Sequence, residues 1–411
     1  MNLRFSEISG DQLDRFTAQH PCNNIYQTQA WAQVKSEWQH RMVGLFDQDQ
    51  LVAAAMILIR SLPLGMKLAY IPRGPIMNVN DAQQTAFFLR QIRQYCRKLG
   101  AVECKFDPYL IIGTFDLDQK QQAWQATSPA TEPLKAAGAR FAGYTRQLSQ
   151  TIQPRFQLCL HYQPQWQQLL PKKTREKIQS SFERGIEIEL GGVERAHDLA
   201  RMVEMTEQRK HIHLRNEEYF KTILKQFAGR SCVLCAVLDH QKALNRIDQR
   251  YQTLSRHLEQ LDDKAVKKRK QLEKQLADLT AEKEKTLRQC EQDGQRVLVS
   301  ALLLVHDGRT CELLYSGLDG RYRRYLAAYA LRYQAIAWAF DQQGCTRFNF
   351  GGVEGSLDDG LFVFKSSFNP KIEVYLGEFS LPCRRLLYPL WAHLLPWIRE
   401  QRRQWLRRKT Q

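Results

Sequence analysis

Several features common in other classes of protein are missing from this chain of 411 residues. It has no apolar run approaching the roughly 18 residues of a membrane-spanning helix. Its opening residues, MNLRFSEISGDQLDRF, carry charges where a signal peptide has an apolar segment. It contains no G-x-S-x-G, P-loop or H-E-x-x-H motif. We therefore expect a cytoplasmic protein whose chemistry rests on positioning and charge stabilisation, without a covalent intermediate.

The ten cysteines show no spacing typical of a disulfide framework. Cys232 and Cys235 form a C-x-x-C pair within the strand-like run SCVLCAVL. Odd spacing on a strand places two side chains on opposite faces, and no second pair of ligands lies nearby. We therefore predict reduced, mostly buried thiols and no metal site.

Acidic residues are in deficit: 60 Lys and Arg against 43 Asp and Glu leave a formal net charge of +17. Such a charge favours an anionic partner, whether phosphate, nucleic acid or a lipid surface, and does not choose among them. The length exceeds that of one hydrophobic core, so two domains are expected.

Two segments share one order of predicted elements. The first reads LAYIPRGP, a helical pattern over 81–99, a glycine and AVECKFDP; the second reads CELLYSGLDG, a helical pattern over 325–340, a glycine and CTRFNFGG. The spacing from the strand tyrosine to the glycine is 30 residues in the first and 29 in the second. This recurrence predicts a duplicated α/β unit; two unrelated βαβ units are the alternative.

Residues 241–293 have a different pattern. Apolar positions recur in steps of three and four from Leu244 to Leu261 and again from Leu272 to Leu279, with the charged break DDKAVKKRK between them. The pattern predicts two helices folding back as an antiparallel coiled-coil arm, inserted between the strand-like runs CVLCAVL and VLVSALLLV. Its basic residues either form a solvated face or follow a phosphate backbone.

The C-terminal segment LLYPLWAHLLPWIREQRRQWLRRKTQ combines Trp391, Trp397 and Trp405 with many arginines. This composition is typical of an interfacial helix drawn to anionic lipid, and equally of a helix that packs its apolar stripe on the protein. The first alternative predicts peripheral contact with the inner face of the membrane.

The stretch FVFKSSFNP, residues 362–370, places Lys365 among three phenylalanines. A lysine in this setting either extends its ammonium to water or holds a charge near a partner. The run FNFGGVEGSLDDG immediately precedes this stretch, and its glycines are typical of turns.

Several stretches together resemble the FemABX family of tRNA-dependent peptidoglycan interpeptide-bridge aminoacyltransferases. They are QTQAWAQVK, YIPRGP, KKTREKIQSSFERG, HLRNEEYF, LYSG and, as the most specific, FNFGGVEGSLDDGLFVFKSSFNPKIEVYLGEF at 348–379. Together they span nearly the whole chain.

The resemblance implies an α/β fold of two GNAT-like domains with an inserted antiparallel coiled-coil helical arm. The first domain would be 1–152, completed by 376–411; the second would be 153–375, with the arm at 241–293. The arm is then a candidate contact for tRNA. No R/Q-x-x-G-x-G/A loop for acetyl coenzyme A is present, so no cofactor is expected.

The resemblance also implies the reaction. An amino acid would pass from aminoacyl-tRNA, the co-substrate, to the stem-peptide amine of lipid II or UDP-MurNAc-pentapeptide. The ester is already activated, so the protein has to position both substrates, let the ammonium lose a proton and stabilise the oxyanion.

By the same resemblance, Lys365 is the candidate for the reacting carbonyl, and the backbone carbonyl of Phe364 is a candidate contact for the attacking amine. Asp107, which ends CKFDP, is a candidate base or a turn former. Four further residues are candidates for binding the acceptor: Lys35 and Arg215 for its pyrophosphate, and Arg73 and Tyr315 for lining the same cleft. Arg73 alternatively braces a proline turn.

Two other functions fit the sequence. A non-catalytic protein that binds tRNA or another nucleic acid would use the arm and the basic surface alone. An aminoacyltransferase acting on another amine would keep the chemistry and change the acceptor.

Overall fold

The computed structural model describes residues 2–62, 65–210, 215–262, 264–384 and 387–388. The chain divides into two compact units: unit 1 comprises Met1–Leu160 and Asn349–Gln411, and unit 2 comprises His161–Phe348. The three tryptophans of the predicted interfacial helix lie outside the described residues. The domain boundaries implied by the family resemblance stay a prediction.

The strands are, in chain order, β1 (Leu3–Glu7), β2 (Gln39–Asp47), β3 (Gln50–Ser61), β4 (Lys67–Ile71), β5 (Ala101–Phe106), β6 (Ile111–Phe115), β7 (Arg140–Phe141), β8 (Phe156–His161), β9 (Ile186–Gly191), β10 (Ser231–Asp239), β11 (Arg296–His306), β12 (Thr310–Leu318), β13 (Arg347–Gly352), β14 (Lys371–Tyr375) and β15 (Phe379–Pro382).

The α-helices are α1 (Gly10–Gln19), α2 (Gln29–Val34), α3 (Ala82–Lys98), α4 (Lys120–Gln125), α5 (Thr131–Ala136), α6 (Trp166–Leu169), α7 (Lys172–Glu183), α8 (Ala196–Lys210), α9 (Glu217–Gln226), α10 (His240–Glu259), α11 (Val266–Asp293), α12 (Ala327–Ala337) and α13 (Gly360–Ser366). Within the described part of the chain, no helix is long and apolar enough to cross a membrane.

The first sheet of unit 1 has the strand order β1-β2-β3-β4-β5-β15-β7. Its one parallel pair, β4 with β5, is joined by α3 as a βαβ crossover. Asp81 caps the start of α3 by accepting the Gln84 N–H at 2.9 Å, and Gly100 follows its end with φ +91°. The helix predicted over 81–99 is thus confirmed, with Asp81 and Leu99 as the two cap residues of α3.

The core of this sheet forms because α3 turns one apolar stripe inward. Phe88, Ile92 and Cys96 follow each other at four-residue steps and are fully buried. They pack with sheet residues such as Ile57 and Phe106 in one hydrophobic cluster. Unit 1 also contains strands in the order β6-β14-β8-β13. In the chain, the next helix after β13 is α13.

Unit 2 has the strand order β12-β11-β10-β9, with each neighbouring pair antiparallel. β10 and β11 are the two strands predicted to flank the arm. They pair from Ser231↔Val305 to Asp239↔Arg296, so the insertion leaves and re-enters at one end of the pair. The second predicted strand, helix, glycine and strand order also recurs, as β12, α12, Gly344 and β13.

The arm consists of α10 with 20 residues and α11 with 28 residues, about 30 and 42 Å long. Lys283 on α11 pairs with Asp248 on α10 at 2.6 Å, which joins two antiparallel helices. Leu244, Ile247 and Leu279 are buried as the apolar repeat requires. The predicted charged break is shorter than expected, since VKKRK already forms the first turn of α11; lysine and arginine are good helix formers.

Candidate active site

Lys365 lies in the last turn of α13. Asp359 caps this helix by accepting the Phe362 N–H at 2.9 Å. The half-buried Lys365 donates from Nζ to the Gly352 carbonyl at 2.9 Å. A cation is also favoured at a helix C-terminus, where the backbone carbonyls point. The ammonium is therefore held at a defined place by backbone groups.

Aromatic rings surround this part of α13. Phe362 is 4% exposed and Phe368 is fully buried. The ring of Phe368 lies 5.5 Å from that of Phe350 and 6.0 Å from that of Phe364, between centroids. These rings lower the local dielectric constant, which strengthens the action of a nearby ammonium on negative charge.

The Phe364 carbonyl accepts two hydrogen bonds from Ser367, one from Oγ at 2.7 Å and one from N–H at 3.2 Å. Both bonds close the C-terminal turn of α13. The predicted contact of this carbonyl with the attacking amine stays a prediction, and it would have to share the oxygen with Ser367.

The glycine-rich loop 352–359 is clamped from α4. Trp124 donates from Nε1 to the Gly355 carbonyl and Lys120 donates from Nζ to the Leu357 carbonyl, both at 2.5 Å. The Gly355 N–H in turn donates to the Arg146 carbonyl at 2.8 Å. A Cβ at Gly355 would lie 2.5 Å from the Arg146 carbonyl oxygen, so only glycine allows this approach.

Sequence reasoning missed Lys120 and Trp124. They lie 237 and 231 residues from their partners in the chain, and no local pattern links such distant positions. The sequence alone supports the interpretation of the loop glycines as turn residues. The close packing of Gly355 against the backbone of Arg146 appears only in the folded unit.

Asp107 follows β5 and is 2% exposed. Its Oδ1 accepts the Arg73 N–H at 2.5 Å and its Oδ2 accepts the Tyr70 hydroxyl at 2.8 Å. Burial raises the pKa of Asp107 to about 7, although the Arg73 guanidinium and the two hydrogen bonds offset part of the rise. The carboxyl thus holds the backbone turn at Arg73 and titrates near neutral pH.

The structure brings Arg73 and Asp107 together. Arg73 has φ +51°, is 2% exposed and donates from Nη2 to the Pro154 carbonyl at 2.9 Å. Its guanidinium lies 4.4 Å from the centroid of the Tyr375 ring. This buried arginine braces the turn of YIPRGP, and its role in lining a cleft stays a prediction.

Lys35 ends α2 as its C-cap residue, and its Nζ lies 5.0 Å above the Trp31 ring centroid. In unit 2, the exposed Arg215 stacks on Tyr219 at 4.6 Å, and the Tyr219 ring lies 6.2 Å from that of Tyr315. Arg215 and Tyr315 are therefore both neighbours of Tyr219. No group of three His, Cys, Asp or Glu in the described ranges is arranged to hold a metal ion.

The model of the FemAB family matches residues 8–395. The chain therefore belongs to the FemAB family, as the resemblance predicted. Among its relatives are the lipid II:glycine glycyltransferases of Staphylococcus haemolyticus, strain JCSC1435, at 22% identity over 411 residues, and of Staphylococcus saprophyticus at 23% over 410 residues. In both comparisons the match covers 95% of this chain and 95% of the relative.

The fold is similar to that in the crystal structure of FemX, with a TM-score of 0.73 and 21% sequence identity. The match covers 94% of this chain and 99% of the FemX chain. The predicted fold class, α/β with duplicated GNAT-like domains, is confirmed by this likeness.

Proposed function

We propose that this protein is an aminoacyltransferase that moves an amino acid from aminoacyl-tRNA to the stem-peptide amine of lipid II. Membership of the FemAB family over 8–395 supports the transferase class. The relatives' activity, which their names give as glycine transfer to lipid II, supports the acceptor. The observation that carries the proposal is the ammonium of Lys365, held on the Gly352 carbonyl at 2.9 Å.

In the reaction, the nitrogen of the deprotonated stem amine attacks the ester carbonyl of the aminoacyl-tRNA. A C–N bond forms, and the carbonyl electrons collect on oxygen as the tetrahedral intermediate develops. The C–O bond to the ribose then breaks, and the proton that the nitrogen still carries in excess in the intermediate passes to the ribose oxygen. The proton lost from the ammonium before attack is released to water. The products are an amide and uncharged tRNA, so no external oxidant, reductant or cofactor is needed.

Lys365 stabilises the developing oxyanion in this proposal. The bond to the Gly352 carbonyl fixes the position of the ammonium. A cation held in place before the reaction stabilises the intermediate without paying for its own reorganisation. The hydrogen bonds from Trp124 and Lys120 to loop 352–359 keep Gly352 in position, and with it the ammonium of Lys365.

The stem amine is an ammonium at neutral pH, with an ordinary pKa of about 10.4, and has to lose a proton before attack. Asp107 is the candidate base, because its pKa of about 7 suits proton transfer near neutral pH. The Phe364 carbonyl is a candidate to orient the amine. Lys35, Arg73, Arg215 and Tyr315 are the candidates for binding the acceptor, with Lys35 and Arg215 assigned to its pyrophosphate.

The test is transfer of radiolabel from a mixed pool of aminoacyl-tRNAs to purified lipid II, with glycyl-tRNA as the first single donor. The wild-type chain is compared with Lys365→Ala and with Lys371→Ala. Lys371 is a matched control because it is a neighbouring, 42% exposed lysine paired with Asp116. We expect label in lipid II, a loss of about 100-fold or more for Lys365→Ala, and little change for Lys371→Ala.

Equal activity of Lys365→Ala and wild type would remove Lys365 from the mechanism. Tight tRNA binding without transfer from any donor would overturn the enzyme proposal in favour of a non-catalytic nucleic-acid-binding protein. Transfer to a simple amine but not to lipid II would reassign the acceptor. Replacing lipid II by UDP-MurNAc-pentapeptide tells the lipid-linked acceptor from the nucleotide-linked one.

A further inference from the structure

Two buried amide side chains lie beside the backbone that holds Lys365. Asn349 on β13 is 1% exposed and Gln157 on β8 is 5% exposed. Both belong to unit 1, and Asn349 donates from Nδ2 to Gln157 Oε1 across 192 residues of chain. We call these two residues the amide pair.

The hydrogen bonds of the amide pair all run in one direction. The Gly351 N–H donates to Asn349 Oδ1 at 2.8 Å. A backbone N–H can only donate, so the oxygen of Asn349 has to face Gly351 and its NH2 group has to face Gln157. The NH2 group in turn requires an acceptor, which Gln157 supplies with Oε1. Gly351 is thus tied through two side chains to β8.

Gly351 turns the end of β13. Its φ is +83°, in the left-handed region that glycine adopts readily. The bond from its N–H to the side chain two residues earlier is the pattern of an Asx turn. Because glycine has the largest choice of backbone conformations, this bond selects the one conformation that the turn requires.

The peptide unit after Gly352 carries the contact with Lys365. The Val353 N–H donates to the Phe156 carbonyl at 3.0 Å. In a trans peptide the C=O and N–H groups point in opposite directions, so the Gly352 carbonyl points away from Phe156. This carbonyl accepts the Nζ of Lys365 at 2.9 Å.

Two consecutive residues of β8 therefore hold the backbone on both sides of Gly352. Phe156 fixes the peptide unit that contains the Gly352 carbonyl, and Gln157 fixes Gly351 through Asn349. The direction of a carbonyl depends on the dihedral angles before it as well as on its own peptide plane. Both restraints are thus needed to aim the carbonyl at the ammonium.

Stability alone does not require amides at these two positions. The neighbouring side chains Phe156, Leu158 and Phe350 are buried and apolar, and they point to the opposite face because side chains alternate along a strand. Replacing two hydrogen-bonded partners by apolar groups of similar shape is often neutral for folding. The amide pair therefore has its clearest effect on the backbone of Gly351.

We propose that Asn349 and Gln157 are positioning residues for Lys365. They hold Gly351, which aims the Gly352 carbonyl and so places the ammonium. The inference rests on the proposed function for the use of this ammonium in amino-acid transfer. Gln157 lies outside every sequence stretch that carries the family resemblance.

The first test measures how accessible the ammonium of Lys365 is in the full chain. Acetic anhydride labels lysines in competition, and mass spectrometry gives the labelling of Lys365 relative to Lys371, which pairs with Asp116 outside the amide pair. Asn349→Ala removes the acceptor of the Gly351 N–H. Gln157→Met removes the acceptor of Asn349 and keeps an unbranched side chain.

Thr85→Val is the matched control for these variants. Thr85 is fully buried in α3 of unit 1 and donates to the Val79 carbonyl at 3.3 Å, so the control also loses one buried hydrogen bond. We expect the relative labelling of Lys365 to rise about fivefold in Asn349→Ala, less in Gln157→Met, and not in Thr85→Val. Labelling equal to wild type in both amide variants would overturn the proposal.

The second test measures transfer to lipid II in two backgrounds. In the wild-type background we expect Asn349→Ala to lower kcat about tenfold with little change in either KM. In the Lys365→Ala background the same substitution should change kcat by less than about twofold, because no ammonium remains to be positioned. An equal loss in both backgrounds, or an equal loss in Thr85→Val, would overturn the proposal in favour of a general effect on stability.

Failure of this inference is distinguishable from failure of the proposed function. Transfer by wild type, with Lys365 labelling unchanged in Asn349→Ala, would defeat the positioning role alone. An absence of transfer by wild type, with labelling raised in Asn349→Ala, would defeat the enzyme proposal and leave the placement of Lys365 by the amide pair intact.

Discussion

Asp107 is a carboxyl whose protonation is coupled to folding. Burial raises its pKa from 3.8 to about 7 in the folded chain. Between these values the native state keeps a proton that the unfolded state has lost, so stability falls as the pH rises through this window. Across this window the free energy of unfolding falls by up to about 4 kcal/mol.

Replacing this carboxyl by an amide removes the titration while keeping an oxygen for the Arg73 N–H. We expect the free energy of unfolding of Asp107→Asn, measured by urea denaturation between pH 4.5 and 7.5, to decline less with rising pH than that of wild type. Asp118→Asn, at an exposed carboxyl, is the control. Parallel pH profiles for all three proteins would show that Asp107 does not titrate in this range.

The same variant tests the role of Asp107 as a base. If it accepts the proton of the stem amine, the acid limb of the pH dependence of kcat/KM should disappear in Asp107→Asn, with a loss of about 100-fold or more. A variant that keeps the wild-type pH profile and activity would leave Asp107 with only its structural role at the Arg73 turn.

Trp124 acts on Lys365 through the loop. Trp124→Phe keeps an aromatic ring, though a smaller one, and deletes the N–H that donates to the Gly355 carbonyl, which should cost about 1 kcal/mol of stability. Because the loop carries Gly352, we expect kcat for transfer to fall several-fold while the KM for lipid II changes little. Steady-state kinetics and thermal unfolding check both parts.

Trp166→Phe is the matched control for this substitution. Trp166 lies in unit 2 and donates its indole N–H to Asp341 at 3.0 Å, so the variant loses one comparable hydrogen bond. A similar loss of kcat in both variants would mean that destabilisation, rather than loop register, explains the effect.

At the scale of elements, the arm is an insertion into an antiparallel strand pair. β10 and β11 stay paired up to the ends next to the arm, where Asp239 faces Arg296. Just beyond this pair, the His240 N–H donates to the Gln295 carbonyl at 2.9 Å. Because the two ends of the arm are adjacent, a two-residue hairpin turn can join the strands in its place.

Replacing residues 241–294 by such a turn should therefore leave unit 2 folded. The arm buries few residues of its own, and its removal leaves the pairing of β9 to β12 intact. We expect tRNA affinity to fall by more than tenfold in a filter-binding assay, since the variant loses the basic residues of the arm. Circular dichroism checks that the remaining fold is intact; unchanged tRNA affinity would exclude the arm as a tRNA contact.

At the scale of the whole molecule, the positive net charge agrees with the function proposed from the family. A net charge of +17 fits a protein that handles phosphates, and both proposed substrates carry them. The charge is distributed between many exposed side chains and a few half-buried ones. The exposed majority raises the rate of encounter with anionic substrates.

The sequence by itself determined the parts of this protein that depend on local order. The bounds of α3 followed from a capping aspartate and a closing glycine, the arm from its three-and-four repeat, and family membership from the block that contains Lys365. Each signal lies within a few tens of residues, where periodicity and capping act. The sequence could also name Arg73, Asp107, Arg215 and Tyr315, but only by resemblance and without their surroundings.

Only the tertiary structure decided what those residues touch. The raised pKa of Asp107 depends on burial beside Tyr70 and Arg73, and the loop before Lys365 depends on Trp124. Dielectric environment, close packing and the proximity of like charges are properties of a folded volume. No linear pattern records them, because the partners come from positions that are distant in the chain.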